Sequence, residues 1–72
     1  MRVAGDSAIT AKVKAALMRE QQLKSLDVSV ETYRGEVILS GFVKDEAQRK
    51  KALQVASAVS GVTSVKDGMA IR

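Results

Sequence analysis

The stretch Arg34-Gly35-Glu36-Val37-Ile38-Leu39-Ser40-Gly41-Phe42-Val43 decides how this 72-residue chain folds. Within it, Glu36 to Val43 is the most apolar run in the sequence. Arg34-Gly35 has the composition of a tight turn, because glycine reaches positive φ without a steric cost. From Glu36 onward the residues divide by parity. Val37, Leu39, Gly41 and Val43 share one face of a strand, and Ile38, Ser40 and Phe42 share the other. A strand that is apolar on both faces belongs at the centre of a sheet.

Before the turn, Asp27 to Tyr33 alternates. Val28, Val30 and Thr32 point one way, and Ser29, Glu31 and Tyr33 the other. This is a half-buried strand, antiparallel to the first because the turn is short. After Val43, Asp45 stands three residues before Gln48, the spacing of a capping box that opens a helix. Ala52, Val55, Ala56 and Val59 recur at helical spacing, and small alanines let a helix lie close on a sheet. Gly61 is expected to end that helix in the left-handed conformation. Val62, Val65, Met69 and Ile71 then describe a third strand. A right-handed crossover from Val37 to Ile71 makes it parallel to the central strand.

At the N-terminal end, Asp6 or Ser7 is expected to cap a first helix with its side-chain oxygen. Ile9, Val13, Ala16 and Leu17 form its buried stripe, with Lys12, Lys14 and Arg19 off it. The helix should fade between Glu20 and Gln22, and Leu23 and Leu26 fold back onto the core. The predicted architecture is α+β: a two-layer αββαβ sandwich, a three-stranded mixed sheet with two helices packed on one face. Residues 1–72 form a single domain, read as cut from a longer protein because the chain starts just before a helix and ends in a strand.

With these elements in place the chain resembles a BON domain, the module named for bacterial OsmY and nodulation proteins. Five pieces carry the resemblance: Asp6 followed by Ile9, Val13 and Leu17; Val28-Ser29-Val30; the run from Gly35 to Gly41; Ala52 with Val55-Ala56; and Gly61-Val62 followed by Val65 and Met69. The Gly-x-Val-x-Leu-x-Gly strand joined to a later Gly-Val-x-x-Val is the most specific. Asp67 stands where the family often carries Asn. The resemblance implies the same αββαβ order and a non-enzymatic role at a periplasmic or envelope location, with phospholipid contact the commonest proposal. One relative of this type responds to potassium, but the family has no universal ligand motif, so the resemblance transfers no site residue.

The residue inventory narrows the chemistry. Hydrophobic residues make up 46% and charged residues 28%, ordinary for a folded domain. There is no Cys and no His, which excludes disulfides, thiolate metal sites and the usual base near neutral pH. Seven Ser are present without a nucleophile elbow around any of them. Catalytic residues, cofactor and metal are therefore expected to be none. No Gly-x-x-x-x-Gly-Lys loop is present to cradle phosphate. Nucleic acid is disfavoured as well: the KH-type Gly-x-x-Gly is missing, and Tyr33 and Phe42 are the only aromatics. No stretch approaches the ~18 apolar residues of a membrane span.

Two surfaces are left as candidates. Twelve Lys and Arg against eight Asp and Glu give a net charge of +4. Lys12, Lys14 and Arg19 on one helix, with Arg49, Lys50 and Lys51 on the other, concentrate that charge on the helical layer. They could meet an anionic phospholipid surface, and they equally suit a solvated outer face. The opposite face of the sheet turns Tyr33, Ile38 and Phe42 outward, a candidate docking face for another protein domain or for weak self-association.

Overall fold

The computed structural model describes residues 5–23 and 27–72. The elements follow the predicted order: α1 (Asp6–Arg19), a 3-10 turn (Gln21–Leu23), β1 (Asp27–Tyr33), β2 (Glu36–Val43), α2 (Glu46–Ser57) and β3 (Ser64–Ile71). The sheet order is β1-β2-β3. β2 is central, antiparallel to β1 and parallel to β3. The expectation for Leu26 lies outside the described residues.

One core joins the two layers. Ile9, Val13 and Leu17 come from α1, Leu23 from the 3-10 turn, Val30 from β1, Val37, Leu39 and Val43 from β2, and Ala52 and Ala56 from α2. Ala16, half-buried, borders the stripe rather than filling it. Val55 and Val59 pack against the core from its margin. Val13, Val37 and Leu39 are wholly buried, so removing side-chain bulk there costs about 2–5 kcal/mol for a change to Ala.

The hairpin turn has the geometry that glycine permits. Arg34 and Gly35 have φ of 51° and 84°, the pair of positive values of a type I′ hairpin. Gly35 is buried, and a Cβ on it would meet Thr63 Cγ2 at 3.0 Å and the Gly61 carbonyl oxygen at 3.1 Å. The Thr63 N–H donates to the Gly35 carbonyl at 2.9 Å. The hairpin turn is thus seated under the entry to β3.

Two expectations about the helix ends change. Neither Asp6 nor Ser7 caps α1: Gly5 is the cap residue and contributes no side-chain bond. The Asp6 carboxylate is engaged elsewhere, with the hairpin turn. Gly61 does take positive φ, at 95°, but α2 has already ended at Ser57. Residues 58–61 form a turn of their own, in which Ala58 is right-handed and Gly61 lets the chain pass under Ile9, 3.2 Å from where a Cβ would sit. The Asp45–Gln48 box is present: the Gln48 N–H donates to Asp45 Oδ1 at 2.8 Å. Its return bond goes one residue further back, with the Lys44 N–H donating to Gln48 Oε1 at 2.8 Å. Gln48 Nε2 also donates to the Gln22 carbonyl at 3.0 Å, fastening α2 to the 3-10 turn.

Candidate functional site

The six cations of the helical layer do not act as one group. Arg49 is held by Glu46 on its own helix and by Asp67 on β3. Those two carboxylates, Glu46 first, raise its pKa above the ordinary guanidinium value. Asp67 reaches Arg49 because β3 pairs Leu39 with Asp67, placing it on the helix-facing side of the sheet. Its carboxyl is held below the ordinary 3.8 chiefly by the N–H of Met69, with partial desolvation opposing and Arg49 adding to the shift. Lys51 lies 3.7 Å from Glu20. Lys12, Lys14, Arg19 and Lys50 are exposed, and among the described residues none of them has a carboxylate within salt-bridge reach.

Three of these four border a feature that the helical-stripe reading passed over. Ala8, Ala11, Ala15 and Met18 are all exposed, and Met18 has 77% of its surface in solvent. Spaced by three and four residues, they form a second apolar strip on the outward side of α1. Lys12 and Arg19 flank it on one side and Lys14 on the other, by the ~100° turn per residue. The signal was present in the sequence as an i, i+3, i+7, i+10 recurrence, masked by the stronger stripe of Ile9, Val13 and Leu17. On the Lys12 and Arg19 side an open groove of about 480 Å³ separates α1 from the end of α2. Ala16, Val55 and Val59 supply its apolar lining, and Lys12, Arg19 and Glu20 its charges.

The outer sheet face places Tyr33, Ile38 and Phe42 on one side but apart. Tyr33 is paired with Glu36 at one end of β2, and Phe42 with Asp27 at the other. Six residues of strand separate these rows, about 20 Å. Ile38, half-buried, sits between Glu31 and Lys66. Each exposed aromatic is covered by an arginine: Arg34 Cζ stands 5.4 Å from the Tyr33 ring centroid and Arg72 Cζ 4.2 Å from that of Phe42. Such stacking is worth about 0.5–1 kcal/mol at exposed sites and dresses each ring with a charge.

Among the described residues no three Asp or Glu side chains converge as a metal ligand set, and no helix is long and apolar enough to cross a membrane. No buried side-chain polar atom among them lacks a hydrogen-bond partner, so no unsatisfied group marks an enclosed ligand site.

Comparison with known proteins matches this architecture. The family model for the BON domain matches residues 5–72. Osmotically-inducible protein Y of Escherichia coli (strain K12) is 55% identical over 67 residues, covering 93% of this chain and 33% of that protein. An uncharacterized protein in the gshII 5′ region of Anaplasma centrale is 33% identical over 63 residues, covering 88% of this chain and 42% of its own length. The chain thus spans less than half of either relative. The helix-strand-strand-helix-strand order, the glycine-bounded central strand and the match over residues 5–72 agree: this chain belongs to the BON domain family.

Proposed function

We propose that this chain is a non-catalytic binding module of a bacterial envelope protein, and that it contacts anionic phospholipid surfaces through the outward side of α1. One observation carries the reading: the exposed strip Ala8, Ala11, Ala15 and Met18 is bordered by Lys12, Lys14 and Arg19, which have no carboxylate partner among the described residues. An apolar strip with basic flanks suits the interface between headgroups and acyl chains. Each cation near a charged bilayer contributes about 1 kcal/mol. The 55% identity to a protein named for osmotic induction supports a role under osmotic stress. Co-sedimentation with vesicles tests the reading. Binding to phosphatidylglycerol vesicles that weakens with salt and is lost on phosphatidylcholine supports it. Equal binding to both, or none, overturns it.

A second reading has its own observation. Tyr33 and Phe42 are 65% and 43% exposed on the opposite layer, which favours docking of a neighbouring protein domain on the sheet. Resonance shifts at Tyr33, Ile38 and Phe42 on adding the adjoining domain of the parent protein would support it, and their absence would remove it.

A further inference from the structure

Among the described residues four large apolar side chains are exposed: Met18, Tyr33, Phe42 and Ile71. Met18, at 77%, is exposed the most, and it alone of the four lies on a helix. Tyr33 and Phe42 each stack against an arginine. The fold makes little use of Met18. α1 docks on the sheet through Ile9, Val13 and Leu17, and the ~100° turn per residue carries the next side chain round to solvent.

Met18 also differs in chemistry from the rest of the outward strip, which is alanine. The chain has no Cys, so the thioethers of its three Met are its only sulfur. Met1 lies outside the described residues. Met69 is half-buried on β3 and packs against the core. Thioether oxidation follows exposure, so Met18 reacts ahead of Met69. The product is polar where the thioether was apolar. Its oxygen is also a hydrogen-bond acceptor. Lys14 lies one turn earlier on the same side of α1, with no carboxylate partner among the described residues. A sulfoxide at position 18 thus removes the largest apolar group of the strip and draws on one of its bordering cations.

We propose, on the basis of the phospholipid contact assigned above to α1, that Met18 is a reversible oxidation site whose conversion to the sulfoxide releases α1 from an anionic bilayer. The oxidant is a two-electron oxygen donor of the peroxide class. A lone pair on Sδ attacks one peroxide oxygen, and the S–O bond forms as the O–O bond breaks. The second oxygen leaves as hydroxide and takes the proton of the transferred oxygen, giving water. Sulfur loses two electrons and the peroxide gains them. Because the core does not depend on Met18, the change alters the surface and leaves the fold in place. Methionine sulfoxide reductases return the thioether.

The test treats the 72-residue chain with hydrogen peroxide, maps each methionine by peptide mass spectrometry, and measures binding to phosphatidylglycerol vesicles before and after. The expected result is that Met18 gains one oxygen several times faster than Met69 and that binding weakens about tenfold in step with it. Helical circular dichroism is unchanged, and treatment with reductases for both sulfoxide epimers restores binding. Met18→Leu, compared with itself before and after peroxide, shows no change in binding, which separates Met18 from Met1 and Met69. A native chain that fails to bind before treatment overturns this proposal together with the phospholipid contact. A native chain that binds, and binds equally well with Met18 oxidised, overturns this proposal alone. So does oxidation of Met69 ahead of Met18, loss of binding that tracks loss of the helical signal, or peroxide sensitivity that persists in Met18→Leu.

Discussion

The carboxylate of Asp6 accepts the backbone N–H of Gly35 at 3.1 Å, across 29 residues of sequence, while its other oxygen accepts that of Arg34 at 2.8 Å. Both turn residues sit at positive φ, and for Arg34 that conformation costs about 1–2 kcal/mol. The first residue of α1 thus stabilises the turn that sets the register of β1 on β2. Asp6→Ala removes both acceptors and should lower stability by about 1–2 kcal/mol in urea titrations. Asp6→Asn keeps one carbonyl acceptor and should lose less. Equal losses would mean that the two oxygens do not act together.

Gly41 stands on β2 with φ of 131°, and a Cβ built on it would lie 2.1 Å from the Asp27 carbonyl oxygen. That neighbour is backbone and cannot swing aside. Gly41→Ala should cost about 3 kcal/mol or more, from backbone strain and forced displacement of β1 together. A domain of this size holds about 3–5 kcal/mol in all. The variant should therefore lose its cooperative thermal transition, whereas Gly5→Ala, which meets nothing within 4 Å, should not.

These two positions show what was legible in the sequence. The strands announced themselves because alternation is a local property: Val28, Val30 and Thr32 against Ser29, Glu31 and Tyr33 needs no knowledge of the partner. The Asp45–Gln48 box is local too. Asp6 misled because the capping rule looks three residues ahead, and its real partners are 28 and 29 residues away. The Arg49–Asp67 pair was hidden for the same reason. It depends on β3 pairing Leu39 with Asp67, a register that only the packed sheet defines. The six cations looked equivalent in sequence because their counterions are tertiary neighbours.

Asp67 links that pair to pH. Its folded-state pKa lies below the ordinary 3.8, because the Met69 N–H and Arg49 favour the carboxylate. A depressed carboxyl pKa contributes stability that is fully present above the unfolded value and is lost as pH falls through the folded one. The stability difference between the native chain and Asp67→Asn should therefore hold steady above about pH 4 and shrink on acidification below it. Urea midpoints for both proteins on a descending pH series measure it. A difference that grows in acid would reverse the assignment.

The unequal state of the cations makes the last prediction. Arg49 already has Glu46 and Asp67, and Lys51 has Glu20, so a membrane surface gains little from either. Lys12, Lys14 and Arg19 border the exposed strip with no such partner among the described residues. Lys12→Gln, Lys14→Gln and Arg19→Gln should each weaken binding to phosphatidylglycerol vesicles about fivefold, on the order of 1 kcal/mol per charge. Arg49→Gln and Lys51→Gln should leave it near the native level. Met18→Ser removes the largest side chain of the strip without touching charge. It should weaken binding at high salt as much as at low, because burial of apolar surface is not screened. Vesicle binding measured for this set at two salt concentrations separates the contributions. If Arg49→Gln weakens binding as much as Lys12→Gln, the contact surface is not the outward side of α1.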